Sequence, residues 1–222
     1  MSIAENIRRI REEIADPSVI LVAATKQNGP ERVREAIAAG VDACGENRVQ
    51  ELTDKLAEGA YAGAPLHFIG HLQRNKVKQV VGVCDLIQSV DSPALLESIR
   101  SQAQKLGIIQ DVLLEVNIAR EPQKGGVLPE ELPRLLELAA VETGLRVRGL
   151  MAIPPISPKT GANRPWFREM RELFIDIGGK KYNNVTMEFL SMGMTLDYRD
   201  AVAEGANMIR LGTAIFGART YP

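Results

Sequence analysis

Two kinds of hydrophobic spacing alternate along the chain. Near the N-terminus, isoleucines separated by charged residues recur three or four positions apart, at Ile3, Ile7, Ile10 and Ile14. This spacing places one apolar stripe on a helix and predicts an amphipathic helix packed against a core. A continuous apolar run follows at residues 19–25 (VILVAAT), which is typical of a buried parallel strand.

The same alternation continues to the C-terminus. Strand-like runs occupy eight segments, at residues 19–25, 41–45, 66–70, 85–90, 111–118, 145–153, 185–192 and 207–212. Helical patterns lie between them, at residues 30–40, 48–56, 75–83, 93–106, 129–141 and 198–204 and around Phe167, Met170, Phe174 and Ile177. Count and spacing favour an α/β fold, a single (β/α)8 TIM barrel with an extra N-terminal helix. An open doubly wound sheet is the main alternative, because periodicity does not show whether a sheet closes.

The composition is that of an ordinary globular chain. The 222 residues are 45% hydrophobic and 25% charged, and we expect residues 1–222 to form one domain, with the Pro- and Gly-rich segment 154–165 as a loop at the barrel mouth. The formal net charge of −1 gives no reason to expect nucleic acid or a membrane as partner. Cys44 and Cys84, both in apolar runs, and a charged N-terminal segment predict reduced core thiols and a cytoplasmic protein.

One lysine lies at the end of a predicted strand where parallel barrels bind their ligands. Parallel barrels bind ligands at the C-terminal ends of their strands, and Lys26 directly follows the first strand-like run. Partial desolvation there would disfavour the ammonium form and make the amine nucleophilic toward an aldehyde. A solvated lysine at a strand end is the alternative, and position alone favours it.

Two glycine-containing loops predict a phosphate site. Ser191 and Gly193 follow the seventh run, and Gly212 and Thr213 follow the eighth. Barrels often hold phosphate after these two strands, where glycine lets backbone N–H groups approach the oxygens and hydroxyl groups add donors. Glycines that only serve tight turns are the alternative for either loop alone.

An arginine lies within the otherwise apolar eighth run. Burying Arg210 is costly unless it has a partner. Glu188 could be that partner as a buried carboxylate. A ring nitrogen of a bound cofactor is the other candidate, and because arginine keeps its proton, it would leave such a nitrogen unprotonated.

Three further residues are weaker candidates for the same site. Asn47 follows the second run and could bind a ligand, or cap the next helix. His67 lies within the third run and Met151 near the end of the sixth, where core packing is the alternative for both. No metal-ligand cluster, dinucleotide fingerprint or phosphate-binding P-loop motif occurs in the sequence.

Eight segments of the chain, taken together, resemble a known family. VAATK, GENRVQE, HFIGHLQRNK, SVDS, LLEVNI, GLMAIP, LSMGM and IRLGTAIFGAR, in this order, closely resemble the pyridoxal phosphate homeostasis protein family. The resemblance covers nearly the whole chain. Its departures are slight: Arg48, Arg74 and the pair Thr195-Leu196 stand where many relatives differ, beside the inferred site.

The resemblance implies a fold, a cofactor and residue roles. The fold would be like the N-terminal barrel of alanine racemase (fold type III), carrying pyridoxal 5′-phosphate (PLP) as a Schiff base on a lysine. The residues at the matching positions would be Lys26 for the Schiff base, Asn47 near the cofactor, Ser191, Gly212 and Thr213 at the phosphate, and Arg210 at the pyridine nitrogen. The family has no demonstrated catalytic reaction and is regarded as buffering or delivering PLP, with effects on amino- and keto-acid balance.

Three functions remain open at this point. The first is a non-enzymatic PLP-binding protein. The second is an amino-acid racemase of the same barrel type, which needs acid–base groups on both faces of the substrate carbon; none of the four tyrosines, Tyr61, Tyr182, Tyr198 and Tyr221, is clearly directed at the mouth. The third is a barrel enzyme acting on a phosphorylated metabolite without PLP. An uncapped mouth would leave the cofactor exposed and predicts a monomer.

Overall fold

The structure is a computed structural model, and it describes residues 1–141, 143–157 and 159–218. Its eight strands are β1 Ile20–Ala24, β2 Ala43–Glu46, β3 Leu66–Phe68, β4 Leu86–Val90, β5 Gln110–Val116, β6 Leu145–Ala152, β7 Val185–Ser191 and β8 Met208–Leu211. All neighbours pair in parallel and in sequence order, and β8 returns to pair with β1. The predicted barrel is therefore confirmed, and the open sheet is wrong.

Helices follow the strands as predicted, with one exception. The α-helices are α1 Ile3–Ile14, α2 Pro30–Ala38, α3 Val49–Ala57, α4 Pro93–Leu106, α5 Leu132–Ala140, α6 Arg164–Gly178, α7 Tyr198–Ala203 and α8 Thr213–Phe216. The α-helix predicted at residues 75–83 is instead a short 3₁₀ helix, Arg74–Gln79. Gly82 adopts a left-handed backbone conformation (φ 77°) shortly after it, so the chain turns toward β4 before a longer helix could form.

The extra N-terminal helix α1 is fixed at its N-terminal end by a cap and by a bond to α8. The Ser2 side chain accepts a hydrogen bond from the Glu5 amide, while the Glu5 carboxylate accepts one from the Ser2 amide, which forms a capping box. The buried side of α1 includes Asn6, whose amide group donates to the Ile215 carbonyl oxygen at 2.9 Å. This bond links α1 to α8, the last helix, and so ties the first helix to the point where the barrel closes.

The barrel interior is layered. An apolar layer fills its centre and consists of Val22, Ala43, Leu86, Leu113, Met151 and Met208. Three strands carry one residue of this layer and a buried polar residue two positions further on, namely Leu86 and Gln88, Leu113 and Glu115, and Met208 and Arg210. Because side chains two residues apart on a strand face the same side, the polar residues form a second layer nearer the C-terminal mouth.

The larger apolar core lies between the strands and the surrounding helices. Cys44 and Cys84 belong to it as free, buried thiols, as predicted, and burial raises the pKa of each to about 12. Nowhere in the described ranges is a helix both long and apolar enough to cross a membrane.

Candidate functional site

Two adjoining cavities open at the C-terminal ends of the strands. The first, here called the Lys26 cavity, measures about 240 Å³ and is lined by Lys26 together with Arg48 and Glu51. The second, the Glu115 cavity, measures about 560 Å³ and extends to the loop after β5. Asn47, Gly70 and His71 line both, so the two cavities form one cleft across the mouth. Its size suits a small organic ligand.

The backbone on both sides of Lys26 is held by side chains of α3. The Thr25 carbonyl oxygen accepts a hydrogen bond from Lys55 Nζ at 2.8 Å, and the Gln27 amide donates to Glu51 Oε2 at 2.6 Å. Gln27 has a left-handed backbone conformation (φ 60°), which is unfavourable for a residue with a side chain. The turn that presents Lys26 is therefore fixed by specific side-chain contacts.

These contacts rest on a buried carboxylate that sequence reasoning missed. Glu46, at the end of β2, is fully buried, and its Oε1 accepts hydrogen bonds from Thr25 Oγ1 at 2.6 Å, from Tyr61 Oη at 3.2 Å and from Lys55 Nζ. Burial is the main cause that raises the pKa of Tyr61, and the negative charge of Glu46 is the next. The phenol therefore keeps its proton. The available signal in the sequence was a glutamate ending an apolar strand and a lysine nine residues later.

Asn47 does not cap the next helix. Arg48 is the residue before α3, and it makes no side-chain capping bond. Asn47 Oδ1 is instead buried without a hydrogen-bond partner among the described residues. A Cβ atom at Gly70 would lie 2.1 Å from the Asn47 carbonyl oxygen, so glycine at that position is what allows the two loops to meet. The unsatisfied amide oxygen beside the cleft suits a ligand donor.

A chain of hydrogen bonds crosses the polar layer of the barrel. His67 Nδ1 lies 2.9 Å from Gln88 Nε2, Gln88 Oε1 accepts from Ser191 Oγ at 2.6 Å, and Ser191 Oγ accepts from Arg210 Nη1 at 2.6 Å. Burial lowers the pKa of His67 from 6.5 to about 4, against the opposing effect of Asp85, so its ring is neutral at pH 7. The structure thus brings His67, Ser191 and Arg210 together through Gln88, which the sequence did not single out.

Glu188 is not the partner of Arg210. Glu188 is exposed and forms its ion pair with Arg148, while Arg210 is buried and donates through Nη2 to the Ala152 carbonyl oxygen at 2.9 Å. The reason is the strand period: Glu188 is three positions before Ser191, so the two side chains face opposite sides of β7. Burial lowers the pKa of Arg210 from 12.5 to about 10, against the opposing charges of Glu115 and Asp197, and the guanidinium stays charged at pH 7.

The two glycine loops meet at the mouth, but their glycines differ. Gly193 has φ 95°, and a Cβ atom there would lie 2.6 Å from Ala201 Cβ, so this turn itself requires glycine. Gly212 has a negative φ of −108°, and a Cβ atom would make only ordinary contacts, the nearest with the Ala24 carbonyl oxygen at 3.5 Å. Gly212 leaves room that a side chain would fill, beside the end of β1. The Ala214 amide donates to Thr195 Oγ1 at 3.2 Å, which joins the two loops.

The remaining predicted residues lie on either side of these loops. Thr213 is exposed at the start of α8, whereas Ser191 is completely buried, with its hydroxyl group engaged in the hydrogen-bond chain of the polar layer. Met151 is buried in the apolar layer beneath that chain, a position that agrees with its reading as barrel filler. Among the described ranges, no group of His, Cys, Asp and Glu side chains is arranged to hold a metal ion.

Glu115 is a second ionisable residue that sequence reasoning missed. It is buried in the wall of the larger cavity. Desolvation is the main cause that raises its pKa from 4.5 to about 7, and the negative charge of the neighbouring Asp91 is the next. The positive charge of Arg210 lowers the pKa. The signal that could have identified it is a glutamate within the apolar run LLEVN. The carboxyl group is therefore close to half protonated at neutral pH.

We predict that Glu115 makes the folded chain less stable as the pH rises. Between about pH 4.5 and 7 the folded protein keeps a proton that the unfolded chain releases, so stability is lost over this window, by on the order of 3 kcal/mol for an ideal two-state titration. Glu115→Gln should remove this loss. Urea unfolding from pH 4.5 to 8 measures the difference in the free energy of unfolding between variant and parent. His67 has the opposite pH dependence in both proteins, so its contribution cancels in this difference. Glu137→Gln, at an exposed glutamate, is the control, and equal pH profiles for the two variants would contradict the assignment.

Known proteins of similar sequence and structure share this barrel over its whole length. The chain is 40% identical, over all of both chains, to the pyridoxal phosphate homeostasis protein of Aquifex aeolicus, and 38% identical to that of Pseudomonas aeruginosa over 99% of this chain and 97% of the relative. The PipY structure from Synechococcus elongatus with PLP bound superposes with a TM-score of 0.84 at 36% identity, covering 97% of this chain and 100% of that chain.

A family profile described as alanine racemase, N-terminal domain, matches residues 1–220. The extent of this match and the full-length relatives agree with the closed barrel and with the resemblance found in the sequence motifs. The chain therefore belongs to the alanine racemase N-terminal domain family and, within it, to the pyridoxal phosphate homeostasis proteins.

Proposed function

We propose that this chain binds PLP covalently through Lys26 and serves PLP homeostasis. The observation that carries the proposal is the position of Lys26, at the end of β1 on the wall of the mouth cleft, in a barrel whose relative PipY is described with PLP bound. Bound PLP supplies an electrophilic aldehyde, and the amine of Lys26 is the group proposed to react with it, with loss of water. The whole of residues 1–222 would act as one PLP-binding domain.

The residues around the cleft suit the other parts of PLP. Gly212 adjoins β1, so a phosphate bound by the backbone of Gly193, Gly212 and Thr213 would lie on the same rim as Lys26. Ser191 would add its hydroxyl group from below by turning its proton from Gln88 to the phosphate. The free acceptor Asn47 Oδ1 would take a hydrogen bond from the cofactor or its water shell. His67 would lie below the ring in the polar layer, and Met151 would support that layer from the barrel interior.

Arg210 favours retention of PLP over catalysis. Its guanidinium is charged at pH 7 and offers only donors, so a pyridine nitrogen facing it would stay unprotonated. An unprotonated ring withdraws electrons less strongly, which disfavours the removal of a proton from a bound amino acid. We therefore propose that the protein is not an enzyme.

The tyrosines support the same conclusion. Tyr61 donates to Glu46 and Tyr198 to Glu13, Tyr182 packs against the core, and Tyr221 lies outside the described residues. In the part of the chain that the structure describes, no tyrosine lines either cavity, so none offers the second acid–base group that racemisation requires.

We also propose that the chain acts alone and without a nucleic acid or membrane partner. Its formal net charge of −1 offers no electrostatic attraction to polyanions. Sedimentation at two concentrations tenfold apart should give one species of about 24.3 kDa. A dimer that persists on dilution would contradict the monomer.

Replacing Lys26 tests the covalent site. Purified parent protein incubated with PLP should become yellow, and borohydride reduction should fix PLP on the peptide that contains Lys26, as located by mass spectrometry. Lys26→Ala should lose the visible absorbance, because the reacting amine is gone. Lys105→Ala, at an exposed lysine of α4, should keep it. A colourless parent protein would exclude PLP binding and would favour a barrel enzyme acting on a phosphorylated metabolite.

Incubation with L-alanine tests the absence of racemase activity. We expect no D-alanine above the rate of free PLP, because no tyrosine among the described residues lines the cleft. The second lysine on the cleft wall, Lys124, donates to the Pro154 carbonyl oxygen at 3.0 Å. Chiral chromatography of the reaction mixture measures the D-form. Turnover at ordinary enzymatic rates, about 1 s⁻¹ or faster, would overturn the non-enzymatic proposal.

A further inference from the structure

We propose that Glu46, Glu51 and Lys55 form a clamp that positions Lys26 for its reaction with PLP. This inference rests on the proposed function of Lys26. The three residues are called the Lys26 clamp below. They are positioning residues, which act on Lys26 through the main chain on either side of it.

The clamp grips the two peptide groups that flank Lys26. Lys55 Nζ holds the carbonyl oxygen of Thr25 at 2.8 Å, and Glu51 Oε2 holds the amide of Gln27 at 2.6 Å. Lys55 and Glu51 also contact each other, Nζ to Oε2, at 3.4 Å. Because both flanking groups are bound by adjacent turns of one helix, α3 sets the main chain at Lys26 and the direction in which its side chain leaves it.

The conformation at Gln27 needs this support. A left-handed backbone costs a residue with a side chain about 1 kcal/mol or more, and such a residue persists only where its surroundings fix it. The charge-assisted bond from the Gln27 amide to Glu51 supplies that constraint. Without it the turn after Lys26 would be free to relax, and the amine would lose its preset direction.

Stability alone does not account for the clamp. Both side chains of the Glu46–Lys55 pair are buried, at 0% and 8% exposed. Buried ion pairs cost desolvation energy, and apolar replacements of similar volume are often equally stable. Here the pair delivers a donor to the carbonyl group of Thr25, and Glu46 Oε2 also accepts from the Asn47 amide at 3.2 Å. The pair therefore orders the main chain at two points, next to Lys26 and at Asn47.

Lys55 is not an alternative attachment point for PLP. Its ammonium group donates to the Thr25 carbonyl oxygen and to Glu46, contacts Glu51 and is nearly inaccessible. An aldehyde could reach it only after these contacts break. The two lysines therefore have separate tasks, with Lys55 fixing the main chain and Lys26 reacting.

Glu51→Gln tests the clamp in a protein that should still fold, because Glu51 is at the surface end of the network with a side chain 23% exposed. The neutral amide keeps the shape and weakens the bond to Gln27. We expect the Gln27 amide to exchange with deuterium at least tenfold faster, measured without PLP by nuclear magnetic resonance. We expect the dissociation constant for PLP, from the visible absorbance, to rise about tenfold, with a matching fall in the rate of capture.

Glu97→Gln is the matched control, because Glu97 also lies on a helix surface and pairs with an arginine three residues later. It should change neither the exchange of the Gln27 amide nor PLP binding. Both variants should keep melting temperatures within a few degrees of the parent. Lys55→Met is the stronger second variant, and if it folds it should weaken PLP binding further, because it frees the Thr25 carbonyl group and leaves Glu46 uncompensated.

Two results would overturn the proposal. One is an unchanged exchange rate of the Gln27 amide in Glu51→Gln, which would mean that this contact does not hold the turn. The other is faster exchange with unchanged PLP affinity and capture rate, which would mean that the turn does not position Lys26. If the parent protein itself fails to bind PLP at Lys26, the proposed function fails, and the exchange experiment still decides whether the clamp holds the turn.

Discussion

Closure of the barrel by the pairing of β8 with β1 is the constraint on which the rest of the structure depends. The register sets Val22 opposite Arg210 and Ala23 opposite Leu211. The first and last strands therefore end on the same rim, and Gly212 comes within contact distance of the carbonyl group of Ala24. Closure thus places the loop after β8 beside the end of β1 on one rim, next to Lys26.

Closure also creates an interior that has to be filled, and the strand period decides what fills it. Apolar side chains occupy the centre, and polar ones follow two residues later at the mouth. The polar side chains avoid the full cost of burial by bonding to each other, from His67 through Gln88 and Ser191 to Arg210. This hydrogen-bond chain carries a positive charge at its Arg210 end, which suits holding an anionic cofactor.

The charged groups outside that chain have different relations to the cleft. Glu46 and Lys55 neutralise each other beneath the turn that carries Lys26, and each also bonds to the main chain, Lys55 to Thr25 and Glu46 to Asn47. Among the described residues Glu115 forms no ion pair, and burial together with the Asp91 carboxylate raises its pKa. One part of the cleft is thus fixed in shape, while another changes charge near neutral pH. A protein that holds and releases a cofactor can use both properties.

The sequence by itself determined the order of elements, because hydrophobic periodicity is local, and it located Lys26 and both glycine loops from their places after strands. Only the tertiary structure decided which polar groups meet. It showed that Arg210 bonds to Ser191 and not to Glu188, and that Asn47 does not cap a helix. It also revealed the roles of Gln88, Glu46 and Lys55. Glu46 and Lys55 are only nine residues apart, but the other contacts join strands and loops that are distant in the sequence. Their partners are set by strand register and barrel closure, which no local pattern encodes.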